Sequence, residues 1–415
     1  MLGWEFPPHV SGGLGTACQG LTLGLAQLGV EVCFVLPRER GGEDRGTATL
    51  IGTDRVPVPA PGLRAADRVQ LAPALQPVMR PIPSPLRPYL TAAEYARRRR
   101  DNRTAGDAGA YGADLSAEVA RYARAVAELA RAETFDLIHA HDWMTYPAGL
   151  LARELSGRPL LCHVHSSEYD RSGERPDPHI RDLEQHGFDR AERIVCVSRY
   201  TAALLRRRYR VDERKLRVVH NAVLQERERA AAPAKRVLEG PVVLFLGRVT
   251  GQKGPGLFLR AAARVRRALP EAQFVVCGDG DRLGETVERA ARLGLARAVH
   301  FTGFLGPDAV EHAFGQADVY VCPSRSEPFG IAPLEAVLHG VPVIISRQSG
   351  VAEVLGSGLV AESRDVRDLA DKILALLRRP ALARQLVEDG REEVRRLRWE
   401  DSARSLLGVY RELAA

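Results

Sequence analysis

The sequence lacks the features of membrane-spanning and disulfide-stabilised proteins. Its 415 residues contain no signal-peptide pattern and no apolar run of the about 18 residues that a membrane-spanning helix needs. Its six cysteines stand singly, at positions 18, 33, 162, 196, 277 and 322, and form no CxxC pair. They are typical of small buried hydrophobes in a reducing compartment, so the sequence predicts a cytoplasmic protein.

Lysine and aromatic residues are also scarce. Four of the 59 basic residues are lysines, aromatics make up 6%, and the net charge of +7 is mild for this length. Two arginine runs, Arg97–Arg100 and Arg206–Arg208, raise the alternative of nucleic-acid binding. Because no aromatics interleave with them, we expect no nucleic-acid partner. The second run lies on an amphipathic helical pattern and is compatible with peripheral contact with anionic lipid.

The periodicity predicts two α/β domains. Short apolar runs alternate with amphipathic helical segments, which indicates doubly wound parallel sheets with right-handed crossovers. We predict domains at 1–228 and 238–396, joined by a polar linker at 226–237. No predicted strand is followed by GxGxxG with an acidic residue about twenty positions later, which excludes a dinucleotide-dependent oxidoreductase. The predicted strands are Val30–Leu36, Leu137–Ala140, Pro159–Val164, Arg193–Val197, Leu216–Val219, Val242–Leu246, Phe274–Cys277, Val299–Thr302, Val319–Cys322 and Val341–Ser346.

A glycine-rich loop near the start of the chain precedes the first helical pattern. Gly12, Gly13 and Gly15 lie in that loop, and such a loop before a helix can cradle phosphate. A doubly wound sheet normally has a central strand of five or six residues before it, yet almost nothing precedes Gly3. We therefore expect either a first strand reduced to a stub, with an exposed edge and lowered stability, or a product that begins upstream of Met1.

Polar residues follow three predicted strands of the first domain. These are His141-Asp142-Trp143, His165 with the Ser-Ser-Glu that follows it, and His220-Asn221. Ligand sites in open sheets gather at such strand ends. His139 and His163 lie within strands, and we assign them structural roles. The spacing HAHDW and HVHSSE places alternate histidines on one strand face without a third ligand nearby, so we expect no metal site.

The second domain has charged loops at its own strand ends. Arg248 and Lys253 follow the strand at 242–246, where two cations could clamp a diphosphate. Gly278, Asp279 and Asp281 follow the strand at 274–277, in a segment that lacks the further oxygen ligands of a calcium loop. We interpret that segment as a glycine turn beside a nucleotide base.

The stretch from Ser324 to Glu335 carries the strongest motif. A strand ends at Cys322, a proline-bounded loop carries Glu327, and a helix is predicted from about 330 to 339. The backbone N–H groups near Phe329, Gly330 and Ile331 would form an anion-binding helix start. Helical arithmetic places Glu335 on the rim of the buried face, where ribose hydroxyls would satisfy its carboxylate.

The spelling EPFGIAPLE, with EFPPHVSGGLG and GRVTGQKG, resembles the retaining glycosyltransferases of family 4 and the related bacterial and archaeal glycogen and starch synthases. The resemblance is poor only from about 38 to 114, a proline-rich stretch that we expect to overhang the acceptor side. It implies the GT-B fold, with two Rossmann-like domains facing each other across a cleft, and a C-terminal helix, 397–415, that packs on the first domain.

The resemblance also implies residue roles. Arg248 and Lys253 would bind the donor's phosphates, as would Gly12 and Gly13, while His165 and Glu327 would contact the transferred sugar. The HDW triplet would line the sugar pocket, with Asn221 nearby. The expected partners are a nucleotide-sugar donor and a carbohydrate or glycosidic acceptor, with no cofactor and no metal; elongation of an α-1,4-glucan is the alternative. Donor base, donor sugar, acceptor and oligomeric state stay open.

Overall fold

The computed structural model describes residues 1–8, 13–38, 46–56, 115–224 and 236–414. The chain divides into two compact units. One comprises Met1–Asn221 together with Trp399–Ala415, and the other comprises Ala222–Arg398. Each unit has its own apolar core, formed where helices cover a parallel sheet.

Six strands of the first unit form parallel pairs. Strands β1 and β2 pair with each other, and β3 to β6 form a four-stranded sheet in the order β3-β4-β5-β6. The strands are β1 Cys33–Leu36, β2 Thr49–Gly52, β3 Ile138–His141, β4 Leu160–Val164, β5 Arg193–Cys196 and β6 Leu216–Val218. The helices are α1 Gly13–Gln27, α2 Leu115–Ala132, α3 Tyr146–Ser156, α4 Glu168–Ser172, α5 Pro178–Arg190, α6 Arg199–Tyr209 and, from the end of the chain, α13 Trp399–Ala414.

The first residues lie between β1 and β3. Leu2 forms parallel bridges to Val35 of β1 and to Ala140 of β3. Its N–H donates to the His139 carbonyl at 2.7 Å, and its own carbonyl accepts from the His141 N–H at 3.0 Å. A stub therefore occupies the central position that the doubly wound order assigns to a first strand, and it is paired on both sides.

Helix α13 packs on α1 at two glycines of α1. A Cβ atom at Gly20 would lie 2.1 Å from the Trp399 ring, and one at Gly24 would lie 2.6 Å from the Trp399 carbonyl oxygen. Two glycines one helical turn apart thus allow the two backbones to approach closely. The Ser402 hydroxyl also donates to the His220 carbonyl at 2.7 Å, so α13 contacts the loop that carries Asn221.

The second unit is built on one six-stranded sheet. All its pairs are parallel, in the order β12-β11-β10-β7-β8-β9, so β7 and β10 lie at its centre. The strands are β7 Val242–Leu246, β8 Gln273–Cys277, β9 Val299–Gly303, β10 Val319–Cys322, β11 Val343–Ser346 and β12 Leu359–Ala361. The helices are α7 Pro255–Ala268, α8 Leu283–Arg292, α9 Pro307–Gln316, α10 Ala332–Leu338, α11 Val366–Arg378 and α12 Pro380–Arg395.

The structure confirms the predicted α/β class with two parallel sheets and corrects three details. Strands β2 and β12 were not predicted, and β2 lies inside the proline-rich stretch from about 38 to 114. Helix α10 begins at Ala332, not at 330, because Gly330 has a φ of 97° that a helix cannot include.

The arginine run at 97–100 and most of the linker at 226–237 lie outside the described residues. In the described chain, no helix has the length and hydropathy required to cross a bilayer.

Candidate active-site residues

Two loops at the carboxyl edge of the second sheet bring Lys253 and Glu327 into direct contact. They follow β7 and β10, which are neighbours in the sheet. The Lys253 Nζ atom lies 2.8 Å from Glu327 Oε1 and 2.6 Å from Oε2. The Ser324 hydroxyl donates to Oε2 at 2.8 Å. Glu327 is 5% exposed, so its charge is compensated by a partner, as a buried carboxylate requires.

The backbone around Glu327 is held on both sides. Glu327 N–H donates to the Gln348 carbonyl at 2.8 Å, and the Glu327 carbonyl accepts from Gly350 N–H at 2.9 Å. The Gln252 side chain donates to the Ser326 carbonyl at 3.0 Å, which ties the loop after β10 to the loop after β7. The carboxylate is therefore presented by a backbone with little freedom.

The residues that follow Glu327 are buried or half-buried. Phe329 is buried, whereas Gly330, Ile331 and Glu335 are half-buried, and Glu335 thus lies on the rim of the buried face. A Cβ atom at Gly330 would lie 3.1 Å from the Glu327 side chain. Because α10 has seven residues and a correspondingly small dipole, a phosphate at this edge would gain more from Arg248 and Lys253 than from this helix start.

Arg248 and Gly278 lie on adjacent strand ends of the same edge. The Val249 N–H donates to the Asp279 carbonyl at 3.0 Å, and the Gly278 N–H donates to the Gly303 carbonyl at 2.8 Å. A Cβ atom at Gly278 would lie 2.0 Å from the Gly247 carbonyl oxygen, so only glycine fits there. Gly278 therefore has a structural reason to be glycine, independent of any ligand.

Asp279 forms a local turn. Its carboxylate accepts from the N–H of Gly280 at 2.7 Å. Among the described residues, Asp279 and Asp281 belong to no group of three metal-ligand side chains. The turn geometry fits the interpretation of this segment as a glycine turn.

Sequence reasoning missed one exposed aromatic at this edge. Phe304 directly follows β9 and is 64% exposed. The loop that carries it is bonded to the Gly278 loop through the bridge between Gly278 and Gly303. An aromatic residue next to a strand end was the signal that could have identified it.

In the first unit, Asp142 organises the turn that carries His165. Asp142 Oδ1 accepts from the His165 N–H at 2.7 Å and from the Ser166 N–H at 3.3 Å. Asp142 has a φ of 59°, a conformation that is uncommon for residues other than glycine. His141, Asp142 and Trp143 are all buried, so the described contacts of the HDW triplet are with protein.

A buried charged network supports the same turn, and sequence reasoning did not find it. Arg171 donates to the Ser166 carbonyl at 2.8 Å, to Glu168 at 3.0 Å and to Glu184 at 2.9 Å. Glu184 also accepts from the Tyr209 hydroxyl. Burial raises the pKa of Glu184 to about 7, against the opposing effect of Arg171. The charged residues that follow β4 in the sequence were the signal that could have identified this network.

Four histidines of β3, β4 and the turn after β4 form a compact block. His141 pairs with His163 in the strand register, so His139, His141, His163 and His165 lie on one face of the sheet. His139 Nε2 lies 3.1 Å from His163 Nδ1, and His141 Nδ1 lies 2.9 Å from His165 Nε2. The second pair is stacked on the first, with ring centroids 4.1 Å apart for His139 and His141 and 4.3 Å apart for His163 and His165.

This block corrects the expectation that no third ligand lies near the histidine pairs. Nitrogen atoms of His139, His141 and His163 lie within 4.8 Å of one another. The planes of these three rings, however, make angles of only 9° to 29° with one another. The lone pairs lie in the ring planes, so they do not converge on one point. Burial, followed by the neighbouring imidazoles, lowers the pKa of all three rings well below its usual value. The arrangement fits a block of neutral, hydrogen-bonded imidazoles better than a set of ligands around a metal ion.

The other predicted site residues are placed as follows. Gly12 lies outside the described residues, and Gly13 is the exposed first residue of α1. Asn221 is buried in the loop that α13 contacts. His139 donates to or accepts from the Tyr410 hydroxyl at 2.7 Å, which agrees with a structural role.

Comparison with known protein families gives matches to both halves of the chain. The family described as "Glycosyltransferase Family 4" matches residues 11–227, and the family described as "Glycosyl transferases group 1" matches residues 226–393. A relative named D-inositol 3-phosphate glycosyltransferase, from Salinispora arenicola, is 32% identical over 311 residues, which cover 68% of this chain and 69% of that protein.

Solved structures share the architecture at lower identity. Sucrose-phosphate synthase from Thermosynechococcus elongatus aligns with a TM-score of 0.74 at 22% identity, covering 99% of this chain and 98% of that one. HepE from Anabaena, solved in complex with UDP and glucose, aligns with a TM-score of 0.59 at 19% identity, covering 69% of this chain and 80% of that one. The chain has the GT-B fold, and it belongs to glycosyltransferase family 4.

Proposed function

We propose that this glycosyltransferase transfers a hexose from a nucleoside diphosphate sugar to a carbohydrate or glycosidic acceptor, with retention of configuration and without a divalent metal. The contact between Lys253 and Glu327 carries the proposal. It places a cation suited to a diphosphate directly against a carboxylate suited to sugar hydroxyls or to a cationic sugar ring. The UDP and glucose bound by the Anabaena neighbour support a donor of this class.

The charges match those that develop when a sugar–phosphate bond breaks. Negative charge grows on the leaving diphosphate, where Arg248 and Lys253 would stabilise it. Positive charge grows on the sugar ring, where Glu327 would stabilise it. Two fixed cations would take over the task that a divalent metal performs in other phosphate sites.

The surroundings of Glu327 favour front-face displacement over a covalent intermediate. Both carboxylate oxygens accept from Lys253, and Oε2 accepts from Ser324 as well. Lone pairs engaged in charge-assisted hydrogen bonds are poor nucleophiles, whereas the same carboxylate still acts through its charge.

Ligand-induced thermal stabilisation tests the proposal. A ligand that binds only the folded state, at a concentration a hundredfold above its Kd, adds about 2.7 kcal/mol to the free energy of unfolding. For a unit of this size, that gain raises the Tm by several degrees. We expect one of UDP, ADP or GDP to raise the Tm in the presence of EDTA, and the effective base identifies the donor class. Nucleotide sugars on that base are then tested for transfer to two acceptors. One is inositol phosphate, because the Salinispora relative is named D-inositol 3-phosphate glycosyltransferase, and the other is an α-1,4-glucan.

A matched pair of lysine variants supplies the control. Lys253→Ala should lower the shift, although by less than Arg248→Ala does, whereas Lys372→Ala, which removes a surface pair with Asp368 in the same unit, should keep it. Stabilisation by NAD alone, or by a nucleoside diphosphate only when magnesium or manganese is present, would contradict the proposal.

A further inference from the structure

A cavity of about 720 Å³ lies at the amino edge of the second sheet. Its wall includes Pro241, Asp318 and Pro342, which directly precede strands β7, β10 and β11. Lys253 and Glu327 follow β7 and β10 at the opposite, carboxyl edge. Strands of four or five residues, at about 3.3 Å per residue, separate the two edges by roughly 15 Å. The cavity is therefore not part of the candidate active site.

Apolar side chains form much of the cavity wall. Leu376 and Leu377 line it from the end of α11, and Ala383 and Val387 line it from α12. Pockets for small organic molecules typically measure about 300 to 1,000 Å³ and combine an apolar lining with a few polar groups. The volume and the lining thus suit a small molecule with an apolar body.

The charges in the same wall are not balanced. Arg236 and Asp318 form an ion pair and compensate each other. Arg384 and Arg391 also line the cavity, and they lie two helical turns apart on one face of α12. Within the described chain, neither of these two side chains has a hydrogen-bond or ion-pair partner. Glu388 is exposed and contributes one negative charge, so a net positive charge faces the cavity.

The guanidinium group of Arg391 is held in this wall. Its side chain is half-buried, and its Nη2 atom would lie 3.1 Å from a Cβ atom at Gly340, which lines the cavity as well. Its Nε atom is buried and has no acceptor among the described residues. Because Nε is covered, the terminal nitrogens are the atoms that can reach a ligand. Charge-assisted hydrogen bonds from a guanidinium to an anion are strong, so an anion is the group that this wall favours.

We propose that the cavity is a second ligand site, which binds a small organic anion with its apolar body against α11 and α12 and its anionic group at Arg391. Arg384 adds positive charge two turns earlier on the same helix. The site lies within the second unit and uses none of the residues assigned to the sugar donor. The inference therefore goes beyond the proposed function and does not depend on it.

Calorimetric titration with anilinonaphthalene sulfonate tests this site, because the probe has an apolar body and one anionic group. We expect one binding site per chain in wild type. Arg391→Met keeps an unbranched side chain without its charge and should weaken binding at least about tenfold. Glu388→Gln removes the negative charge and should tighten binding about two- to threefold. Arg396→Met, at an exposed arginine that ends α12 outside the cavity wall, is the matched control and should stay within about twofold of wild type.

The two charge variants make the proposal falsifiable from both sides. Because Glu388 is exposed, Glu388→Gln tests the charge even if Arg391→Met fails to fold. Unchanged binding in a folded Arg391→Met protein, or weaker binding in Glu388→Gln, would overturn the proposal. A dimer in sedimentation velocity that Arg391→Met dissociates would overturn it too, because a second copy of the chain would then cover the cavity.

Competition with nucleotides separates this site from the donor site. We expect UDP, ADP and GDP to leave the binding of the probe unchanged. Displacement of the probe by one of them would place the probe in the donor site and overturn the inference. Binding of the probe without binding of any nucleoside diphosphate would support the second site and would refute only the proposed function.

Discussion

At the scale of single residues, the ion pair between Lys253 and Glu327 changes the interpretation of both. From the sequence, one was a phosphate ligand and the other a sugar ligand, each considered alone. In the structure the Lys253 ammonium already has an anionic partner, so a bound diphosphate would share it with Glu327. Glu327 thus lowers the charge that Lys253 offers to the phosphates, and Arg248 should supply more of the nucleotide affinity.

This division leads to a prediction for Arg248 and Glu327. Arg248→Ala should weaken binding of the free nucleoside diphosphate by about 10- to 150-fold, because a charge-assisted hydrogen bond contributes roughly 1.5 to 3 kcal/mol. Glu327→Gln should keep or slightly raise that affinity while kcat falls. Calorimetric titration beside initial rates measures both, with Arg292→Ala, an exposed position on α8, as the control. An equal loss of affinity in the two variants would contradict the assignment.

At the scale of elements, the approach of α1 and α13 depends on the missing side chains of two glycines. A methyl group at Gly24 would overlap the Trp399 backbone and the Ala403 Cβ atom, at 2.6 and 2.7 Å. Gly408, on α13, has no atom within 4 Å of an added Cβ. The same substitution therefore meets a tight contact at one position and open space at the other.

We expect opposite effects of alanine at these two positions. Gly24→Ala should lower the stability of the first unit by about 1 to 3 kcal/mol through overpacking. Gly408→Ala should raise it by about 0.5 to 1 kcal/mol, because alanine is the better helix former. Thermal unfolding followed by circular dichroism measures both shifts. A gain of stability in Gly24→Ala would show that the helices are not in this contact.

Helices α4, α5 and α6 are joined by the buried network of Glu168, Glu184, Arg171 and Tyr209. Glu184 has a pKa of about 7, above its ordinary value of 4.5. Between these two values the folded state keeps a proton that the unfolded state has lost. The contribution of Glu184 to stability therefore falls as the pH rises from about 4.5 to 7 and stays low above that range.

The substitution Glu184→Gln isolates this effect, because glutamine resembles the protonated carboxyl group. The stability of wild type relative to Glu184→Gln should decline by a few kcal/mol between pH 5 and 7.5, since each pKa unit corresponds to about 1.4 kcal/mol. Urea unfolding of both proteins at several pH values gives the difference directly. A difference that is flat with pH, or that rises, would mean that Glu184 is ionised across the whole range.

At the scale of the whole molecule, the chain uses two parallel sheets with polar residues at the carboxyl ends of their strands. In the second unit, the central strands β7 and β10 carry the loops with Arg248, Lys253 and Glu327. In the first unit, β3 and β4 are followed by Asp142 and His165. The α13 helix, distant in sequence, belongs to the first unit, where it contacts α1 and the loop before Asn221.

The sequence by itself determined the α/β class, most strand positions and the family. Apolar runs, glycine and proline positions and the EPFGIAPLE spelling are local signals, and local patterns encode secondary structure and motifs. For the same reason, strands with weak local patterns escaped prediction: β2 lies in a proline- and glycine-rich stretch, and β12 has three residues.

Contacts between distant residues were decided only by the tertiary structure. The strand register aligns His141 with His163, which turns two separate histidine pairs into one block of neutral rings. Neighbouring strands also bring Lys253 and Glu327, 74 residues apart, into an ion pair. Spacing along a chain does not reveal which strands become neighbours or in what register, because long-range packing of the whole sheet determines both.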